Sequence, residues 1–330
     1  MNTHSISRST YADYVREAAP ERVHWEGQAA TRLGLAGAPV TKESFACLSE
    51  AVDPTTGEVL RTRPRVKYTR EVEGKTRVLA RPVAVYDSII RASKTVSILA
   101  VVDERISEAH ALSVGDVAPW LESYAGVQVR GEGIRVTGNT IYSRWNHHSN
   151  RSLDPCEHTH IPTMNLTWDP ERQRWYAVAV YSYYQGGEAA QQMYQERMTE
   201  RLQFLGYRME ENQREVAGVS ARLIERFSQR EREVETMREA WQVTYGTAPS
   251  DRNMDFLVAR WRGRKEELSL AALRERQLER LTSGERQGLV EVRERAGESQ
   301  GPVEVWMPRP YQRVETIAPP LREKPAPLRY

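Results

Sequence analysis

Two β-forming runs, "NTIYSRWNHH" from Asn139 and "HTHIPTMNLTWD" from His158, are separated only by the loop "HSNRSLDPCE". A connection that short joins antiparallel neighbours, because a parallel pair needs a longer crossover. This stretch therefore commits the chain to a hairpin inside a sheet. Residues i and i+2 of a strand project from one face, so His158 and His160 point together. Folding the runs against each other sets His147, at the end of the first, beside that pair, while His148 points the opposite way. Neutral imidazoles are good ligands for a divalent ion, and three of them leave a coordination position open for substrate. The bland alternative is a sheet face with incidental surface histidines. H-x-H alone is weak; the third histidine gives the metal reading its weight, and four of the chain's seven histidines lie in this stretch.

The flanking sequence supplies the rest of a mixed fold. Residues 1 to 24 are polar and read as weakly helical. "WEGQAATRLGLAG" reads as a helix closed by glycine, and "TKESFACLSEAV" as a helix capped by Thr41, with a turn at "DPTTGE". "KYTREVEGKTRVLARPVAVYD" alternates around a glycine turn and ends in an apolar run, predicting a hairpin and then a buried strand. Helical periodicity follows in "SKTVSILAVVDERISEAHALSVGDVAPWLESYA", with breaks expected near Gly115 and Pro119. "GVQVRGEGIRVT" and "RWYAVAVYSYY" read as further strands, and "GGEAAQQMYQERMTERLQFLGY" as an amphipathic helix stopped at Gly206. Residues up to about 296 are charged and helical, and seven prolines beyond Gly297 describe an extended tail. Strands mixed with helices, many of them hairpin-linked, give an α+β fold with a central antiparallel sheet flanked by helices.

Composition narrows the functional classes. No apolar run approaches a membrane span or a signal peptide, so a cytoplasmic protein without a membrane partner is expected. Cys47 and Cys156 are the only cysteines, which excludes a disulfide framework and a cysteine zinc site. Net charge is only +2, too little for bulk electrostatic binding of duplex DNA. With 8 Trp and 15 Tyr against 4 Phe, the aromatics suit stacking on single-stranded bases, although packing accounts for most of them. No G-x-x-x-x-G-K-[ST] occurs, so no phosphate-cradling helicase loop is expected.

The stretch "HHSNRSLDPCEHTHIPTMN" resembles the H-x-x-S-R-x-x-D-P-x-L-H-T-H-x-x-x-x-N signature of the TrwC-like relaxase domain, the MobF type of conjugative relaxase in the histidine-hydrophobic-histidine endonuclease superfamily. His147, His158 and His160 fall on that family's three metal ligands, with Arg151, Asp154, Pro155 and Asn165 on its Arg, Asp-Pro and Asn. "WEGQAATRLGL" looks like the family's W-x-G-x-G-A-x-x-L-G-L and "SKTVS" like its P-K-S-V-S, with Asp87 seven residues before Lys94 where the catalytic Asp is kept. "LQFLGY", "VAGVSARLIERFSQR" and "FLVARWRGRKEE" look like the closing relaxase motifs. The resemblance spans roughly residues 10 to 280.

The resemblance implies a nicking endonuclease and strand transferase for plasmid mobilisation or conjugative DNA transfer. A tyrosine hydroxyl attacks the scissile phosphate, leaving a 5′-phosphotyrosine and a free 3′-OH. It implies one divalent ion, Mg²⁺ or Mn²⁺ ahead of Zn²⁺, and DNA contacts at Arg151 and Lys94. The nucleophile is assigned to Tyr14, then Tyr11, in a segment where the family has two tyrosine pairs after a first β-strand that here is missing or very short. Asp87 is the helper, either as base or by orienting a ligand histidine; as plain sequence it reads equally as a strand-end cap. The implied division is a relaxase core over 1–230, a helical extension over 231–296 and a Pro-rich tail over 297–330. The implied partners are single-stranded or hairpin DNA at an origin of transfer, relaxosome or secretion coupling proteins, and a separate helicase. Two alternatives remain: a divergent relaxase-fold protein that binds single-stranded DNA without cutting, and a zinc hydrolase, which leaves the Trp25 and Phe227 motifs unexplained.

Overall fold

The chain's described residues in the computed structural model are 2–6, 12–15, 22–62, 68–72, 75–80, 83–260 and 268–297. Strand β1 (Asn2–Ile6) and helix α1 (Ala12–Val15) lead into α2 (Gln28–Arg32) and α3 (Lys42–Ser49). A ribbon of β2 (Tyr68–Val72) and β3 (Lys75–Ala80) precedes β4 (Val85–Arg91), α4 (Lys94–Leu99) and α5 (Glu104–Glu122). The hairpin of β5 (Gly126–Val129) and β6 (Gly133–Val136) is followed by β7 (Trp145–Ser149), β8 (Pro155–Met164), β9 (Thr167–Asp169) and β10 (Arg174–Tyr176). The remainder is helical: α6 (Val180–Phe204), α7 (Ala221–Arg226), α8 (Gln229–Tyr245), α9 (Asp251–Arg260), α10 (Leu270–Glu279) and α11 (Ser283–Ala296). Tyr11, residues 261–267 of the last closing motif and the tail from 298 lie outside the described residues.

The expected antiparallel sheet is present, with strand order β1-β4-β8-β7. Strand period sorts its residues onto two faces. Tyr86, Ile90 and Ile161 face a core built with α4, α5, α6, α7 and α11, including Ile98, Leu99, Val117, Leu121, Tyr194 and Leu202. Val85, Trp145 and Met164 face a second core holding Tyr14, Trp25, Phe45 and Trp175. The Thr41 cap on α3 is a full capping box with Ser44, whose hydroxyl also accepts from Trp25 Nε1 at 3.1 Å.

Three expectations are corrected. The polar N-terminus is not helical from the start: Asn2–Ile6 is an edge strand whose backbone pairs with β4, His4 opposite Asp87. The run "N-T-H-S-I" carries no apolar alternation, so nothing in its own sequence marks it as a strand. The α5 region is not broken at Gly115 or Pro119 but runs through both. Gly115 leaves room for the Arg144 guanidinium, which would stand 2.8 Å from an added Cβ, and Pro119 gives up one i→i−4 bond within three residues of the helix end. Finally, "RWYAVAVYSYY" is a strand only over Arg174–Tyr176; from Val180 the chain enters the long helix α6. That helix buries Ala190, Tyr194, Met198 and Leu202 in the first core, a tertiary gain that overrides the local β-propensity.

Candidate metal centre

The hairpin brings the three histidines together. His147 stands opposite His158 in the β7–β8 ladder, and a register shift between His147 and Ser149 absorbs the turn. His160 stands opposite Trp145 on one side and Ile89 on the other. The three ring centroids lie 5.0 to 5.3 Å apart, and one nitrogen of each ring lies within 4.8 Å of the others.

Hydrogen bonds assign a tautomer to each ring. His158 Nδ1 donates to the Cys156 carbonyl at 2.9 Å, and His160 Nδ1 to Asp87 Oδ2 at 2.7 Å. His147 Nε2 donates to the Tyr14 carbonyl at 3.0 Å. Each ring thus spends its N–H on an oxygen and turns its other nitrogen into a lone-pair donor, as a metal ligand requires. Burial, reinforced by the neighbouring His147 and His160, holds the His158 imidazole well below its ordinary pKa. Three imidazoles with oriented lone pairs fit a divalent ion. Asp87 lies inside β4, not at a strand end, and its Oδ1 is buried without a hydrogen-bond partner among the described residues.

The other sequence-chosen residues have distinct places. Tyr14 is 2% exposed, its ring 5.6 Å from that of His160 and packed on Trp145 and Phe45 at 5.8 and 5.9 Å. Arg151 is exposed on the β7–β8 turn. Lys94 is half-buried, and its ammonium donates to the carbonyls of Phe227 at 2.9 Å and Pro155 at 3.5 Å. It braces the end of α7 against the start of β8.

The opposite face of the hairpin carries a polar layer that sequence reasoning left out. His148 Nδ1 donates to the buried Glu157 carboxylate at 2.9 Å. Beside it a directed chain runs from the Tyr194 hydroxyl to His110 Nδ1, from His110 Nε2 to Thr159, and from Thr159 to Asn146, at 2.7, 2.9 and 2.7 Å. Burial pushes the His110 imidazole down to about 4. A second omission is a basic stretch of sequence: residues 61 to 81 hold eight Lys and Arg against two Glu, and within it the β2–β3 register sets Arg70 opposite Arg77. The whole-chain net charge of +2 conceals this local excess, which a windowed charge count reveals. Among the described residues, no helix is long and apolar enough to cross a membrane.

Comparison with known proteins gives a consistent outcome. A family model described as TrwC relaxase matches residues 2–283. The multifunctional conjugation protein TraI of Escherichia coli strain K12 is 29% identical over 245 residues, 69% of this chain and 13% of that protein. A second Escherichia coli TraI is 31% identical over 159 residues, 47% of this chain and 8% of its own length. The chain thus spans a small part of the curated relatives it matches. Among solved structures, conjugative relaxase TrwC in complex with oriT DNA, in a metal-bound form, superposes with a TM-score of 0.65 at 23% identity, covering 84% of this chain and 96% of that one. A copper-bound TrwC–oriT complex reaches 0.68 over the same shares. The likeness in structure carries the α+β fold.

Proposed function

This chain belongs to the TrwC relaxase family, and from that premise we propose that it nicks one DNA strand by tyrosine transesterification during conjugative or mobilised DNA transfer. The observation that carries the reading is the three-imidazole cluster with Asp87 bonded to His160. His147, His158 and His160 would hold one divalent ion, Mg²⁺ or Mn²⁺ ahead of Zn²⁺. When bound, such an ion neutralises the non-bridging oxygens of a phosphodiester, whose charge otherwise repels a nucleophile. Asp87 keeps His160 in the tautomer that ligates. The N-terminal segment supplies the nucleophile, Tyr14 or Tyr11. The phenolic oxygen gives up its proton and forms a bond to phosphorus, the P–O3′ bond breaks, and the departing 3′ oxygen takes up a proton from the site or solvent as a free hydroxyl, so that no net proton is gained or lost.

The substrate we infer is a single strand or hairpin at an origin of transfer. A two-stranded ribbon such as β2–β3 can enter a duplex groove, the sequence over 61–81 is basic, and exposed Arg151 lies on the turn that carries the histidines. In relatives, the TrwC structures are described with oriT DNA, one of them with a 27-mer comprising a recognition hairpin and the cleavage site. Action in the cytoplasm with relaxosome or secretion coupling proteins and a separate helicase completes the proposal.

One observation favours a second reading, in which the fold binds single-stranded DNA without cutting: Tyr14 is buried among Phe45, Trp145 and His160, as a packing residue would be. A labelled oligonucleotide decides between them. With Mn²⁺ present, a covalent adduct is expected, its peptide mass mapping to Tyr14 or Tyr11. An adduct that survives Tyr11→Phe combined with Tyr14→Phe overturns the nucleophile. Absence of any adduct on origin sequences hands the case to the non-cutting reading.

A further inference from the structure

Helix α10 lays one face across the start of β8 and the turn that feeds it. Arg274, Gln277 and Arg280 are spaced three apart and share a side of the helix. The Arg274 guanidinium donates to Ser107 Oγ at 2.8 Å and stands 3.5 Å from Glu157 Oε1. Gln277 Nε2 donates to the Leu153 carbonyl at 3.2 Å, and Arg280 donates to Asp154 Oδ1 at 2.7 Å. The three side chains therefore grip residues 153, 154 and 157, directly ahead of His158.

The gripped segment needs holding. Leu153 has φ 58°, the left-handed region, which a branched side chain adopts only where its surroundings impose it. The Asp154 carboxylate is fully buried; besides Arg280 it accepts from Asn150 Nδ2 at 3.1 Å and from the Arg230 backbone at 3.3 Å. Glu157, 1% exposed, is a second buried carboxylate one residue before a candidate ligand. His158 is also the last β8 residue in register with β4; upstream of it that side keeps only single bonds, from Ala92 N–H to the Glu157 carbonyl at 2.9 Å and from Glu157 N–H to Ser97 Oγ at 3.1 Å, so the α10 contacts add to a thinned ladder. Arg280 gains a further anchor, its guanidinium 4.7 Å over the Phe227 ring, so the helix is fixed to the same α7 end that Lys94 braces.

We propose that α10 is the positioning element of the three-histidine centre, and that Gln277 and Arg280 set the metal affinity of histidines they never touch. A ligand set holds an ion tightly only when its backbone is fixed to a fraction of an ångström, and here the backbone before His158 is fixed from a helix more than a hundred residues further along the chain. The inference rests on the proposal that the three histidines bind a divalent ion.

Titration of the metal-free full chain with Zn²⁺, and separately with Cu²⁺ followed by electron paramagnetic resonance, tests it. In Gln277→Ala and in Arg280→Ala the Zn²⁺ dissociation constant is expected to rise several-fold, below the about tenfold to hundredfold that loss of a direct partner of a ligand histidine costs. The Cu²⁺ spectrum should broaden into more than one species. Arg280→Lys, which keeps a cation beside Asp154, should restore part of the affinity. Arg222→Ala, at a side chain 80% exposed on α7, should match the unaltered protein. Melting curves of the metal-free proteins establish that each is folded at the titration temperature. Unchanged Zn²⁺ affinity and Cu²⁺ spectrum in both alanine variants overturn the inference. If Arg280→Ala does not fold, Gln277→Ala decides alone, since it removes one neutral hydrogen bond. An unaltered protein that takes up neither ion overturns this inference together with the metal reading beneath it, whereas variants that bind like the unaltered protein overturn this inference only.

Discussion

Asp87 joins the candidate metal centre to the sheet in a way that makes two measurements move in opposite directions. Its Oδ2 accepts from His160 Nδ1 at 2.7 Å, while Oδ1 is buried with no hydrogen-bond partner among the described residues. Asp87→Asn keeps an acceptor for the ring N–H but removes the negative charge that strengthens His160 as a ligand. Asp87→Ala removes both. Outer-sphere partners of ligand histidines are worth about tenfold to a hundredfold in affinity, so Asn should cost about tenfold and Ala nearer a hundredfold. Those factors correspond to about 1.4 and 2.7 kcal/mol. Without metal the balance reverses. A buried carboxylate with an unsatisfied oxygen carries a desolvation cost that the amide reduces. The metal-free Asp87→Asn protein should therefore melt at the same temperature as the unaltered chain or higher. Competition against a chromophoric chelator gives the affinity, and melting in a chelating buffer gives the stability. A variant that melts several degrees lower without metal yet binds the ion undiminished would refute the assigned role of Asp87.

Two further outcomes follow from the same geometry. His110 has its pKa held at about 4 against 6.5 in the unfolded chain, so between those values the unfolded state binds a proton that the native state refuses. Stability is then fully present above pH 6.5 and falls as pH drops toward 4, by ~3 kcal/mol from this group. His110→Gln should flatten that part of a denaturation-against-pH curve, and an unchanged slope would rule the attribution out. Gly206 has φ +88°, and an added Cβ would collide with the Ala296 carbonyl, so Gly206→Ala should destabilise the chain by about 3 kcal/mol in urea unfolding. A loss under about 0.5 kcal/mol, the range of an ordinary surface change, would mean that α11 does not pack there.

What the sequence could reveal depended on how local the cause was. The β7–β8 hairpin was readable because its loop is short and the parity of H-x-H is fixed by the strand itself. The Thr41 cap was readable for the same reason. Strand β1 was not, because a polar edge strand owes its existence to the backbone of β4 eighty residues away. The continuity of α5 was hidden because Gly115 is explained only by Arg144, and the true start of α6 because its burial against α5 is tertiary. That Asp87 bonds a ligand histidine was one of two roles the family resemblance implied; the sheet register places it on one face with His160. The grip of Arg274, Gln277 and Arg280 on residues 153 to 157 left no local mark at all.

The position of that gripping helix also orders events in time. A chain emerges from the ribosome N-terminus first, so β1 waits unpaired until β4 appears, and β4 waits for β8. All three histidines are out well before α10, and at usual synthesis rates the interval is on the order of ten seconds. During that interval the nascent chain carries its full set of imidazoles on a turn whose left-handed Leu153 has no partner yet from Gln277. A fragment truncated before Leu270 would stay in that state permanently, with the donors complete and the scaffold under them unfinished. If α10 positions the three histidines as proposed, its late arrival makes a maturation step, in which the cluster reaches its final geometry only once most of the chain has been made.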